Sequence, residues 1–136
     1  MRFADVAIPL PATWSSPFVR WQGSLAEINS IDLAVQVTGS ALDRAEVSPT
    51  ALDGVVVGMT VPQQASFYAA PTLAARIGAP GVSGPVIAQA CATGVACLGA
   101  AAARAEGEGA TVAVITTDRI SNGPVLTYPS ALGPGG

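Results

Sequence analysis

With 136 residues and a formal net charge of −3, the chain is long enough to form one domain with a core of its own. Half of the residues are apolar and only 11% are charged, so we expect part of the surface to be buried against another chain or chain segment. All six basic residues are scattered arginines, which excludes the basic patch that a nucleic-acid partner requires.

Strands and helices are predicted to alternate along the chain. Strands are expected over 5–10 and 53–59, from Pro85 up to Cys91, and over 111–116, and helices over 30–45, 69–77 and from Cys91 to near Gly107. Asn29 or Ser30 can cap the first helix, and Gly78 can end the second. Such alternation is typical of βαβ units around a mainly parallel sheet, so the predicted fold class is α/β.

Cys91 lies where the third predicted strand becomes a helix rich in alanine and glycine. A side chain at such an elbow is exposed at the carboxyl edge of a sheet and at the positive end of a helix dipole, which favours a thiolate. That position suits a nucleophile for acyl transfer. The alternative without a catalytic role is that Cys91 is a small buried packing residue. For Cys97, further along the same helix, a packing role is what we expect.

The strand and helix around Cys91 are expected to be buried on all sides, because no charged residue occurs between Arg76 and Arg104. A membrane span is disfavoured there by the prolines, glycines and polar residues that interrupt the run. Gly94 and Gly99 are expected to permit close helix packing. No metal site is predicted, because neither cysteine has a ligand neighbour at a suitable spacing. Reduced thiols and the lack of a signal peptide favour a cytoplasmic location.

The loops offer alternatives that the residues leave open. Asp118 and Arg119 form either a solvated loop or a contact between protomers. Three aromatic residues, Trp14, Phe18 and Trp21, either pack within their loop or line a substrate channel, and loop packing is favoured. The chain contains no histidine, so any mechanism that needs a histidine base must import one.

Several segments resemble the thiolase family, in order and at the family's spacing, from Val6 to Pro124. The Ser-Pro-Phe at 16–18, the Leu-Asp-Gly-Val at 52–55 and the Ala-Ala-Arg-Ile-Gly at 74–78 are similar to family segments. The most specific match is Cys-Ala-Thr-Gly-Val-Ala at 91–96, against Cys-x-Ser-Gly-x-x-Ala in the family. Residues 116–122 depart from the Gly-Gly-x-Glu-Ser-Met-Ser of many thiolases, which leaves the substrate range open.

The resemblance implies the N-terminal half of a five-layer αβαβα fold with a mainly parallel, mixed sheet. Residues 1–124 would form this half-domain, and 125–136 a Pro/Gly-rich linker or the start of a loop region. Cys91 would be the nucleophile, and the elbow backbone at Cys91 and Gly94 would hold the acyl oxygen. The histidine and the second cysteine of the family's site have no counterpart here, so they would come from a second polypeptide or a missing C-terminal portion. Thiolases also assemble as dimers or tetramers.

The function that the resemblance implies is acetyl-CoA C-acyltransfer, by thiolysis or Claisen condensation, with acyl-CoA and coenzyme A as substrates in fatty acid metabolism. Two alternatives stay open. One is a retro-aldolase of the lipid-transfer class that acts with a partner subunit. The other is a non-catalytic subunit whose fold serves assembly.

Overall fold

The computed structural model describes residues 2–20 and 22–127. Trp21 and the end of the Pro/Gly-rich segment, 128–136, therefore lie outside the described residues. Within the described ranges, the regular elements are three helices and three strands: α1 Ser30–Arg44, β1 Gly54–Gly58, α2 Ala69–Arg76, β2 Val86–Ile87, α3 Thr93–Glu108 and β3 Val112–Thr116. Within this part of the chain no helix combines the length and the apolar character needed to cross a bilayer.

The sheet is parallel and has the strand order β2-β1-β3. The central strand β1 pairs with β3 from Gly54 opposite Val112 to Gly58 opposite Thr116, and its last two residues pair with β2. All five residues of β1 are buried, which suits its valine triplet because branched side chains pack well on a pleated surface. The predicted α/β class with a mainly parallel sheet is confirmed.

Alternation along β1 divides the core into two parts. Val55 and Val57 belong to the larger cluster, to which α1 and α2 also contribute residues, among them Leu73 of α2. Val56 points to the opposite face and packs with Cys97 and Ala101 of α3. Successive strand residues face opposite sides of a sheet, so one valine triplet serves both layers.

The helix ends follow the capping residues of the sequence. Asn29 caps α1, because its Oδ1 accepts a hydrogen bond of 2.9 Å from the Asp32 N–H. Gly78, at φ +96°, follows α2 as predicted, and the left-handed Gly109 ends α3 two residues later than expected.

The strand predicted over 5–10 is wrong. The segment is irregular and ends in a short 3₁₀ turn at Leu10–Ala12, and the side chains of Ile8 and Leu10 are 60% and 78% exposed. Its composition suits a strand, but a strand needs a partner, and within the described chain no strand lies beside it. Pro9 also removes one backbone donor that a ladder would use.

The strand and helix around Cys91 are not buried on all sides by the described residues alone. Strand β2 is only two residues long and half exposed, because it forms an edge of the sheet. Helix α3 is covered by the sheet on one face, while Val95 and Leu98 on its other side are 75% and 44% exposed. A lack of charge indicated an apolar helix correctly, but one sheet layer can cover only one side of it.

Candidate functional site

The candidate site lies at the carboxyl edge of the sheet, where three parallel strands end together. Cys91 follows β2 after three residues and precedes α3 by two, within a 3₁₀ turn formed by Ala90–Ala92. Its side chain is exposed, as the elbow prediction requires. The thiol therefore stands at the N-terminal end of a 16-residue helix, where the unpaired amides and the helix dipole favour negative charge.

The bend before Cys91 is unusually sharp. Ala90 has φ +47°, a left-handed conformation that residues with a Cβ seldom adopt. The Ala92 N–H bonds to the Gln89 carbonyl at 3.0 Å, which closes the turn around the cysteine.

One buried hydroxyl holds both residues that precede Cys91. Thr93 is 4% exposed, and its Oγ1 accepts from the Gln89 N–H at 2.9 Å while donating to the Ala90 carbonyl at 2.7 Å. This role of Thr93 was not predicted from the sequence. The signal was present, because threonine at a helix start commonly bonds to nearby backbone groups.

Close contact between α3 and the sheet occurs at Gly58. A Cβ placed there would lie 2.8 Å from Cys97 Sγ and 2.9 Å from Cγ2 of both Thr93 and Thr116. Only a residue without a side chain allows the start of α3 to approach the end of β1 this closely.

The close packing predicted for Gly94 and Gly99 is not found among the residues that the structure describes, since a Cβ at either position would meet nothing within 4 Å. Both glycines lie on α3 away from its contact with the sheet. Gly94 follows Cys91 by three residues in the first turn of α3, so it shares the elbow but not the close approach. The predicted role of its amide in holding an acyl oxygen stays a prediction.

The second cysteine has the opposite environment. Cys97 is fully buried between α3 and the sheet, and burial raises the pKa of its thiol because desolvation disfavours the thiolate. It is therefore a packing residue, as predicted. It cannot supply the acid/base function that the family's second cysteine provides, because a buried, protonated thiol is a poor proton shuttle.

The loop after β3 clasps the chain to itself, with Asp118 exposed and Arg119 partly buried, and the contact between protomers stays a prediction. Both carboxylate oxygens of Asp118 accept from the Thr60 N–H at 3.0 Å. The Arg119 guanidinium donates to the carbonyls of Ile28, at 2.6 Å, and Ala26. These bonds fix the ends of β1 and β3 and the approach to α1 around the carboxyl edge.

A groove of about 340 Å³ opens at the same edge, on the α2 side of the sheet. It is mainly apolar, and its lining includes Met59, Val61, Pro62, Phe67, Val86 and Ala88. Cys91 does not line it. Phe18 does not line it either, and at 99% exposed it does not pack within its loop as predicted, whereas Trp14 packs against the main core. Within the described residues, no group of three acidic, cysteine or histidine side chains could hold a metal ion.

Comparison with known families matches residues 12–128 to "Thiolase, N-terminal domain". Among solved structures, acetyl-CoA acetyltransferase from Syntrophomonas wolfei is 25% identical over 70% of this chain and 24% of that one, with a TM-score of 0.64. The Bacillus anthracis acetyl-CoA acetyltransferase is 25% identical over 84% of this chain and 29% of that one, with a TM-score of 0.70.

The 3-oxoacyl-[acyl-carrier-protein] synthase III from Aquifex aeolicus VF5 is 26% identical over 70% of this chain and 31% of that one, with a TM-score of 0.60. A search of curated proteins finds no match. The chain therefore spans less than a third of the length of these three structures.

Proposed function

Because the chain belongs to the thiolase family and carries its N-terminal domain, we propose that it provides the nucleophile of a thiolase-type acyltransferase. The observation that carries the proposal is the position of Cys91. Its exposed thiol stands at the start of α3 and at the carboxyl edge of the sheet, in the segment that resembles the family's nucleophile motif.

The proposed step is transfer of an acyl group to Cys91. The thiolate attacks the carbonyl carbon of an acyl-CoA thioester, the new S–C bond forms, and the bond to coenzyme A breaks to release its thiolate. The carbonyl oxygen carries negative charge between these events. The Cys91 N–H is the proposed donor to that oxygen, with the Gly94 N–H as the second proposed amide.

The remaining chemistry is proposed to come from another polypeptide segment. Deprotonating Cys91 and moving the substrate proton each need a base, and this chain has no histidine, while its other cysteine is buried. The exposed apolar side of α3, at Val95 and Leu98, supports a covering segment there. Acyl-CoA is the proposed substrate, and thiolysis or Claisen condensation the proposed second half-reaction.

A second candidate concerns the acyl donor. The likeness to a 3-oxoacyl-[acyl-carrier-protein] synthase III, at 26% identity, favours an acyl group carried by a protein-bound thioester as much as one on coenzyme A. Both donors would deliver the acyl group to the same thiol, so the nucleophile and the bond changes stay as described.

The test is to trap the acyl-enzyme. The chain is incubated near neutral pH with acetyl-CoA or acetylated acyl carrier protein, denatured in acid and mapped by mass spectrometry. We expect one acetyl group on Cys91, none on Cys97, and none at all on Cys91→Ala, which should fold normally because the side chain is exposed. Acetyl label on Cys91→Ala, or no label on a folded wild-type chain supplied with both donors, would refute the assignment.

A further inference from the structure

We propose that Thr93 is the positioning residue of the Cys91 elbow, an inference that rests on the proposed function. The side-chain hydrogen bonds of Thr93 do not involve the Cys91 thiol. Its hydroxyl instead binds the two backbone groups that set the path of the chain into Cys91, the Gln89 N–H and the Ala90 carbonyl.

The elbow needs such a tie because of its backbone. Ala90 is held at φ +47°, where a Cβ crowds the neighbouring carbonyl, so the turn is not favoured by its own sequence. The Thr93 hydroxyl accepts on one side of this residue and donates on the other, and it is buried where water cannot replace it. Without it, Gln89 would lose its bond and Ala90 could relax out of the left-handed region.

Relaxation at Ala90 would displace the thiol from the end of α3. The unpaired amides and the positive end of the dipole act only within the first turn of a helix, so a thiol that leaves this position no longer reacts beside them. Thr93 would therefore act on the chemistry through the position of Cys91. The family resemblance gives serine at this place in the motif, which retains the hydroxyl.

The two ends of the Thr93 side chain have separate contacts, which makes a clean experiment possible. The hydroxyl binds the elbow, whereas Cγ2 packs over Gly58. Thr93→Val keeps a methyl group over Gly58 and removes the hydroxyl. Thr93→Ser keeps the hydroxyl and removes the methyl group, and Thr93→Ala removes both.

The measurement is the rate at which iodoacetamide alkylates Cys91 in the 136-residue chain near neutral pH, followed by mass spectrometry. Buried Cys97 reports folding in the same molecule, because it becomes labelled only when the chain opens. We expect Thr93→Val and Thr93→Ala to react about tenfold more slowly at Cys91, while Thr93→Ser reacts like the wild type.

The inference is overturned if Thr93→Val reacts at the wild-type rate with Cys97 still protected, or if Thr93→Ser slows as much as Thr93→Val. Should Thr93→Val expose Cys97, the serine and alanine variants give the same comparison without the added methyl group. The acyl-trapping test separates the two proposals. If the wild-type chain takes no acyl group, the proposed function is refuted. If the wild type and Thr93→Val take equal amounts of acyl group, only this inference is refuted.

Discussion

Replacing Gly58 by alanine should destabilise the chain by forcing α3 away from the sheet. The added Cβ would lie within 3 Å of three atoms, Cys97 Sγ and the Cγ2 atoms of Thr93 and Thr116. Cys97 and Thr93 are buried and cannot swing into solvent, so the backbone has to move. Overpacking of this kind costs about 1–3 kcal/mol.

The assay is thermal unfolding followed by circular dichroism. A chain of this length loses about 3–5 °C in Tm for each kcal/mol, so Gly58→Ala should melt about 3–10 °C below the wild type after the entropic gain of replacing glycine is allowed for. Gly94→Ala is the matched control. A Cβ there meets nothing within 4 Å, and alanine in a helix should raise the stability by about 0.5–1 kcal/mol.

A double mutant identifies the cause. Cys97→Ala removes the nearest of the three crowded atoms, so the penalty of Gly58→Ala should be smaller in that background than in the wild type. An unchanged Tm for Gly58→Ala would show that the helix is not held close to the strand. An equal penalty in both backgrounds would show that Cys97 is not what the methyl group meets.

Three further changes test other parts of the structure. Asn29→Ala removes the cap of α1 and should lower the free energy of unfolding by about 1 kcal/mol in urea titrations, whereas Asn29→Ser should not. In Arg119→Lys the ammonium group cannot bind both carbonyls as the planar guanidinium does, so limited proteolysis should cleave faster within residues 22–28. Unchanged cleavage would count against the clasp. Because burial raises the pKa of Cys97, the stability it contributes is full below its ordinary value of 9.0 and is lost as the pH rises through the raised folded value. As the pH rises above about 9.0, the free energy of unfolding of the wild type should therefore fall by more than that of Cys97→Ala.

The elements predictable from the sequence were those defined by local signals. The valine triplet of β1 and the cap at Asn29 each act over a few residues, and both are where the pattern places them. The elbow at Cys91 followed from the same kind of signal, a strand pattern that gives way to an Ala/Gly-rich helix. Parallel order followed from the alternation of strands with helices.

The features that could not be predicted from the sequence depend on contacts between residues that lie far apart in the chain. The segment 5–10 has the composition of a strand, yet composition cannot say whether a partner strand lies beside it. The clasp of Arg119 joins groups that are 91 residues apart, which no short-range pattern encodes. The left-handed conformation of Ala90 could not be predicted either, because residues with a Cβ seldom adopt it.

The long reach of the clasp has a consequence for how the molecule folds. The hydrogen bond from the Thr60 N–H cannot form until Asp118, 58 residues later, has been synthesised. The loop before α1 likewise cannot be held until Arg119 is present. Contacts between residues so far apart in sequence form late, because closing the loop costs chain entropy before the new bonds form to offset it. We expect β1 to emerge from the ribosome well before β3 and to stay unpaired on that side until synthesis passes Thr116. During this interval the nascent valine triplet is the segment that a chaperone would have to shield.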